Sequence, residues 1–206
     1  MYARSSDTAW VEFTFVSGHL ALDLAATLTW RSSYPVELLA GPRDLSAWIE
    51  QAGLANVAGR VGDADVERTR ELREAVYRTA SADLLEQRPR TGDLRLISRT
   101  AADKQVTPVL EGLGRAVWRG TVDQVLATVA HQACVLLGGP DHRRVRACAD
   151  SQCTRLFVDH SRSGSRRWCD KLTCGGRANA AAYRRRRSQH EPGSGPGPGS
   201  VARPPG

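Results

Sequence analysis

The sequence predicts a mainly α protein of the α+β kind: a helical N-terminal domain with one small β-hairpin, a small zinc-bound finger of short strands plus one helix, and a disordered tail. Three observations carry this. Apolar residues recur at helical spacing through much of residues 19–138, four cysteines form two equally spaced pairs from Cys148 to Cys174, and residues 188–206 are nearly all Pro, Gly, Ser and other polar types. The boundaries fall at 1–139, 143–187 and 188–206, with the Gly138-Gly139-Pro140 run opening the natural joint.

Taken in order, residues 1–17 place Trp10, Val11, Phe13, Phe15 and Val16 in a partly alternating pattern, which predicts a short strand or a packed arm leading to Gly18. Residues 19–30 are rich in Leu and Ala and predict a helix with Leu20, Leu24, Thr27 and Leu28 along one side. Asp23 interrupts that apolar surface. A buried acid needs a partner, so Asp23 is expected either in a structural ion pair with Arg70 or Arg73, or in the wall of a ligand pocket. Pro35, Gly41 and Pro42 mark a loop, after which Asp44 is expected to cap a helix over 45–52 that stops at Gly53.

The longest helical pattern runs over 64–88. Val66, Leu72, Ala75, Val76, Thr79 and Leu84 face inward, a ladder of charges from Glu67 to Glu74 faces out, and Pro89 ends it. A short helix follows over 93–100 and a hairpin over 106–119, where β-branched and aromatic residues flank Gly112 and Gly114. Thr121 begins a further helix with Val122, Val125, Val129, Ala133 and Leu136 inward, and Cys134 within it reads as a core thiol. Short strands are expected at 145–147 and 156–158, and an Ala- and Arg-rich helix over 175–187.

The cysteine spacing is the strongest signal. Cys148-x4-Cys153 and Cys169-x4-Cys174 are separated by fifteen residues, so each tight turn offers two thiolates and the excursion brings the turns together. Two disulfides or unmetallated thiols are the alternatives, and His160 is the alternative fourth ligand. Residues 1–16 contain Arg4, Asp7 and Glu12 and lack the apolar run of a signal peptide, which favours a reducing, cytoplasmic setting and hence one Zn²⁺. Four thiolates leave no position for water, so the ion is expected to be structural, and Cys153→Ser to unfold the finger while sparing the helical domain.

Charge is concentrated in the same quarter. Of the net +7, residues 143–187 carry +10 (twelve Arg and one Lys against three Asp), leaving −3 for the rest. That asymmetry predicts a polyanionic partner, with double-stranded DNA first and RNA as the alternative. Arg166, Arg167, Arg177, Arg184, Arg185, Arg186 and Arg187 are the candidate nucleic-acid contacts, because Arg suits bidentate binding to phosphate and guanine. The competing reading makes the Arg run a solubilising helix end. No window approaches a membrane span.

Residues 166–169 (Arg-Arg-Trp-Cys) and 174–178 (Cys-Gly-Gly-Arg-Ala), preceded by Leu156-Phe157-Val158-Asp159 and Ser161-Arg162, resemble the CGNR-type zinc finger. The run Gly18-His19-Leu20-Ala21-Leu22-Asp23-Leu24 and the later Leu72-Arg73-Glu74-Ala75-Val76-Tyr77 resemble the ABATE domain of stress-induced transcription regulators, found N-terminal to such fingers. The resemblance spans roughly residues 15–187 and implies a DNA-binding, stress-responsive regulator associated with the nucleoid. Gly176 stands where the finger family has Asn. The helical domain is then expected either to sense a small-molecule effector or to form a homodimer. An enzyme is not expected, since no phosphate-binding glycine loop, nucleophile elbow or zinc-protease motif is present.

Overall fold

A computed structural model describes residues 11–57 and 59–190. Trp10 and the tail from residue 191 lie outside the described residues. The arm from Val11 to Ser17 has no regular structure; it packs instead. Gln51 clasps it, accepting from the Phe13 N–H at 2.9 Å and donating to the Val11 carbonyl at 2.9 Å, while Phe13 is buried and the Phe15 ring sits 6.3 Å from that of Trp48.

The expected helix over 19–30 is shorter than its propensity suggests. Helix α1 covers Leu20–Ala25, with the His19 side chain accepting from the Ala21 N–H at its start. The Thr27 hydroxyl then turns back to the Leu24 carbonyl at 2.8 Å, and Leu28–Thr29 becomes strand β1, antiparallel to β2 (Val36–Glu37). Here strand pairing across a loop outweighs helix propensity.

Helix α2 (Pro42–Gln51) starts earlier than expected. Gly41 is its N-cap, and Asp44 lies one turn in, reaching back to the Gly41 N–H at 3.0 Å. After β3 (Asn56–Val57), helix α3 (Asp63–Leu84) uses the same device, with Asp65 accepting from the Gly62 N–H at 2.8 Å. It ends before Pro89: Glu86 takes a left-handed backbone (φ +53°), and the Gln87 N–H bonds the Ala82 carbonyl at 2.8 Å.

Helix α4 (Thr91–Ala101) leads to the expected hairpin, β4 (Thr107–Gly112) with β5 (Arg115–Gly120), to which β3 adds in parallel. Helix α5 (Val122–Gly138) opens on a reciprocal cap between Thr121 and Gln124. Its end requires glycine: a Cβ on Gly139 would sit 2.6 Å from the Val135 carbonyl oxygen.

A 3-10 turn (Pro140–Arg144) connects to β6 (Val145–Ala147), which pairs antiparallel with β7 (Leu156–Val158) before α6 (Cys174–His190). Helix α6 thus runs three residues past its expected end. Among the described residues no helix is long and apolar enough to cross a membrane.

The main core joins α1 to α5. A second core crosses the joint, packing Leu22, Ala80 and Leu136 of the helices against Val145, Leu156 and Val158 of β6 and β7. The joint is therefore a packed seam rather than a free linker. That packing gives the finger and the helical domain a shared apolar core.

Asp23, Arg70 and Arg73 do not form the expected set. Asp23 is buried and accepts from the Ser17 N–H at 2.9 Å. Burial raises its pKa, with the Ser17 bond acting against the rise. Arg73, 3% exposed, instead pairs with Glu37 at 2.5 Å and Glu74 at 2.9 Å, and Arg70 pairs with Glu67 at 2.5 Å and donates to the Leu39 carbonyl. The strand β2 acid Glu37 supplies the partner that pattern reading along α3 missed. Cys134 is only half-buried, and it lines a cleft.

Candidate metal centre and nucleic-acid interface

The two cysteine pairs are shaped locally before they meet. In the first turn, the Cys153 N–H bonds the Asp150 carbonyl at 2.9 Å and the Gln152 N–H bonds the Asp150 carboxylate at 3.1 Å. In the second, Asp170 accepts from the Thr173 N–H at 2.7 Å and its carbonyl accepts from the Gly175 N–H at 3.0 Å. The turns are then tied together by the Ala149 N–H on the Arg167 carbonyl at 2.8 Å. A Cβ at Gly175 would press on the Asp170 carbonyl at 3.3 Å and the Trp168 ring at 3.4 Å, so this glycine lets the helix start against the turn. Gly176 has room, its nearest neighbour being the Lys171 carbonyl oxygen at 3.8 Å, so packing does not demand glycine where the family has Asn.

The Sγ atoms of Cys148, Cys153, Cys169 and Cys174 all lie within 4.8 Å of one another. Cys153 and Cys169 are 3.7 Å apart, and Cys169 and Cys174 3.6 Å. A tetrahedron with zinc–sulfur bonds of about 2.3 Å has edges of about 3.8 Å, so these separations fit zinc. The charge balance agrees. Sulfurs this close cannot all ionise by themselves: a hydrogen bond from the Cys169 thiol draws Cys153 down to about 5, the same bond pushes Cys169 up, and burial pushes Cys174 up to about 12. A dication is what makes four thiolates compatible. The centre is one structural zinc held by these four cysteines. The exposed His160 instead lies against Gly18, its Nε2 3.3 Å from the Gly18 carbonyl.

Phe157 and Trp168 pack around the sulfurs as a small core. Asp159 is 2% exposed and accepts from the Ser161 and Arg166 N–H groups, both at 2.9 Å. It organises the loop between the cysteine pairs.

Two of the candidate DNA arginines are employed inside the finger. Arg166 stacks over Phe157 at 4.4 Å and donates to the carbonyls of Trp168, Cys169, Val158 and Val16, the last at 2.8 Å across the seam. Arg177 donates to Asp150 at 2.8 Å and to the Cys174 sulfur at 3.1 Å, and its guanidinium holds Asp150 below the usual carboxylate range. Both arginines thus have partners within the chain, and Arg177 keeps 58% of its side chain exposed. Asp150 was legible as an acid inside the first cysteine turn, but its pairing with a residue 27 positions on was not. Arg167 is exposed beside the Trp168 ring, and Arg184 to Arg187 are exposed along the outer half of α6.

Arg166→Ala is accordingly expected to destabilise the zinc-loaded chain by about 3 kcal/mol, since several carbonyls lose a charged donor. Urea melts give the stability, and DNA titrations across salt concentrations give the contact count. Unchanged stability with one fewer released counterion would return Arg166 to the DNA surface.

The comparisons agree with this geometry. Residues 18–140 match the ABATE family, described as "Putative stress-induced transcription regulator", and residues 144–187 match the CGNR zinc finger. No curated protein matches the chain. Neither matching family is an enzyme family.

Proposed function

Since this chain belongs to the ABATE family of transcription regulators and carries a CGNR zinc finger, we propose that it binds duplex DNA through α6 and that its helical domain senses a small molecule. One observation carries the DNA reading. Four consecutive arginines, Arg184 to Arg187, stand exposed on a helix whose first residue, Cys174, is a zinc ligand.

The physical argument follows from that anchoring. A helix rooted at one end in a metal cluster projects as a rigid rod, so its charges meet the duplex in a fixed register with little ordering cost. Ala178, Ala180, Ala181 and Ala182 keep the rod slim ahead of the arginines, and the exposed Tyr183 adds a hydrogen-bonding tip. In this reading the exposed Arg167, ahead of the helix, contacts a backbone phosphate. Phe157 and Trp168 are held in the finger's small core, which disfavours stacking on unpaired bases.

The test is the salt dependence of duplex binding. About four to six released counterions are expected for the unaltered chain, and replacing Arg184, Arg185, Arg186 and Arg187 with Ala is expected to remove most of that slope while zinc content stays at one per chain. A flat salt profile, or an unchanged slope in the quadruple variant, rejects the contact surface.

A further inference from the structure

Helices α3, α4 and α5 enclose a cleft of about 390 Å³ whose floor is apolar, with Ile97, Ala133 and Leu137 among its lining. That size is in the range of small-molecule sites. Thr79 in its wall is 8% exposed, and its hydroxyl has no hydrogen-bond partner. This is unusual within the same fold. Thr69, Thr100 and Thr128 each return their hydroxyl to the carbonyl four residues back, at 2.7, 3.0 and 2.8 Å. An orphaned buried hydroxyl destabilises the free chain and is satisfied at once by a ligand that supplies the missing bond.

The polar groups around Thr79 define what that ligand carries. The exposed Asp83 also lines the cleft, one helical turn from Thr79 on the same side of α3, and among the described residues no cation pairs with it. His142 directs its Nδ1 to the Gly139 carbonyl at 2.8 Å, which leaves Nε2 as an acceptor when the ring is neutral. Ser98 and Gln87, also in the lining, can donate or accept, so the lining carries a single formal charge, the negative one of Asp83. Outside residues 143–187 the chain is itself net negative, which favours the approach of a cation.

We propose that this cleft binds a small ammonium compound with an apolar ring or chain. Its N–H groups bridge the Thr79 hydroxyl and the Asp83 carboxylate, and its apolar body lies against Ile97, Ala133 and Leu137. Occupancy is coupled to the finger through the cleft's own wall. Ala80 and Val145 both line it, both belong to the core across the seam, and Val145 begins the first strand of the finger.

This inference rests on the sensing half of the function proposed above, and the experiment separates the two. The full zinc-loaded chain is titrated by calorimetry with three probes sharing one body: 2-naphthylmethylamine, 2-naphthylmethanol and 2-naphthoate. The amine is expected to bind at least tenfold more tightly than the alcohol, and the acid least. Asp83→Asn should reduce amine affinity about tenfold and leave the alcohol unchanged. Thr79→Val should raise the melting temperature of the free chain, because it removes the orphaned hydroxyl at nearly constant shape, and reduce amine affinity at least fivefold.

Bound amine should also slow alkylation of Cys134, the one cysteine outside the metal cluster. Equal affinity for all three probes, no amine binding, or amine binding indifferent to both substitutions overturns the site. DNA affinity measured with saturating amine reads the sensing role separately: an unchanged value removes that role, while the binding data still establish the site.

Discussion

Removing the zinc is expected to loosen more than the finger. Apparent binding free energies of structural zinc in small fingers are about 10–16 kcal/mol, and that energy is folding energy for whatever the thiolates hold together. Here it extends past residue 143. The Val158 N–H bonds the Ser17 carbonyl at 2.8 Å, Arg155 donates to the Thr14 carbonyl at 2.8 Å, Arg166 donates to the Val16 carbonyl, and the Arg31 N–H bonds the Thr154 hydroxyl at 3.2 Å.

With chelator, or with Cys169→Ser at the most central of the sulfurs, amide exchange should therefore accelerate in residues 145–187, in the arm 11–17 and around Arg31. The middle of α5, buried in the main core, should keep its protection. Hydrogen exchange by mass spectrometry reads each segment. Faster exchange confined to residues 148–190, with the arm unchanged, would show that the seam contributes little.

The second large effect is expected at Arg73. Its side chain is 4% exposed and stands between Glu37 and Glu74, with Arg31 on the far side of Glu74 at 2.6 Å and Arg70 3.6 Å from Glu37. Removing one member of a buried pair leaves an uncompensated charge, so Arg73→Ala is expected to cost about 3–5 kcal/mol, towards the lower end because each acid keeps a second arginine. Arg68→Ala is the contrast, since Arg68 is 47% exposed and its ion pairs are expected to be worth less than about 1 kcal/mol.

The same network predicts an acid limb. Burial works against the charge on Glu74, but Arg31 and Arg73 hold its carboxyl below the usual value. A carboxyl depressed by folding contributes stability above its unfolded pKa, and that contribution is lost as the pH falls through the lower folded value. Urea melts from neutral to acid pH should show this loss in the unaltered chain and a smaller one in Arg73→Met. Identical pH profiles would place the acid sensitivity elsewhere, with the Arg78–Asp93 pair next, since the Arg78 hydrogen bond likewise holds Asp93 low.

Features that depend on neighbours a few positions away were readable from the order of residues alone. The two cysteine turns, the Thr121 cap, the hairpin of β4 and β5, and the helical core positions of α5 and of α3, except Leu84, which the helix end leaves exposed, are all local or periodic, and periodicity survives projection onto one dimension. Partner choice does not survive it. Every guanidinium looks alike along the chain, so Arg73 could not be assigned to Glu37 over Asp23, nor could Arg166 and Arg177 be separated from the exposed run at Arg184 to Arg187. The difference arises when folding brings distant parts of the chain together: Arg73 loses its water and turns to the carboxylates of Glu37 and Glu74, Arg166 is partly covered and turns to carbonyls, and Arg177 meets Asp150 and the Cys174 sulfur with its side chain still 58% exposed.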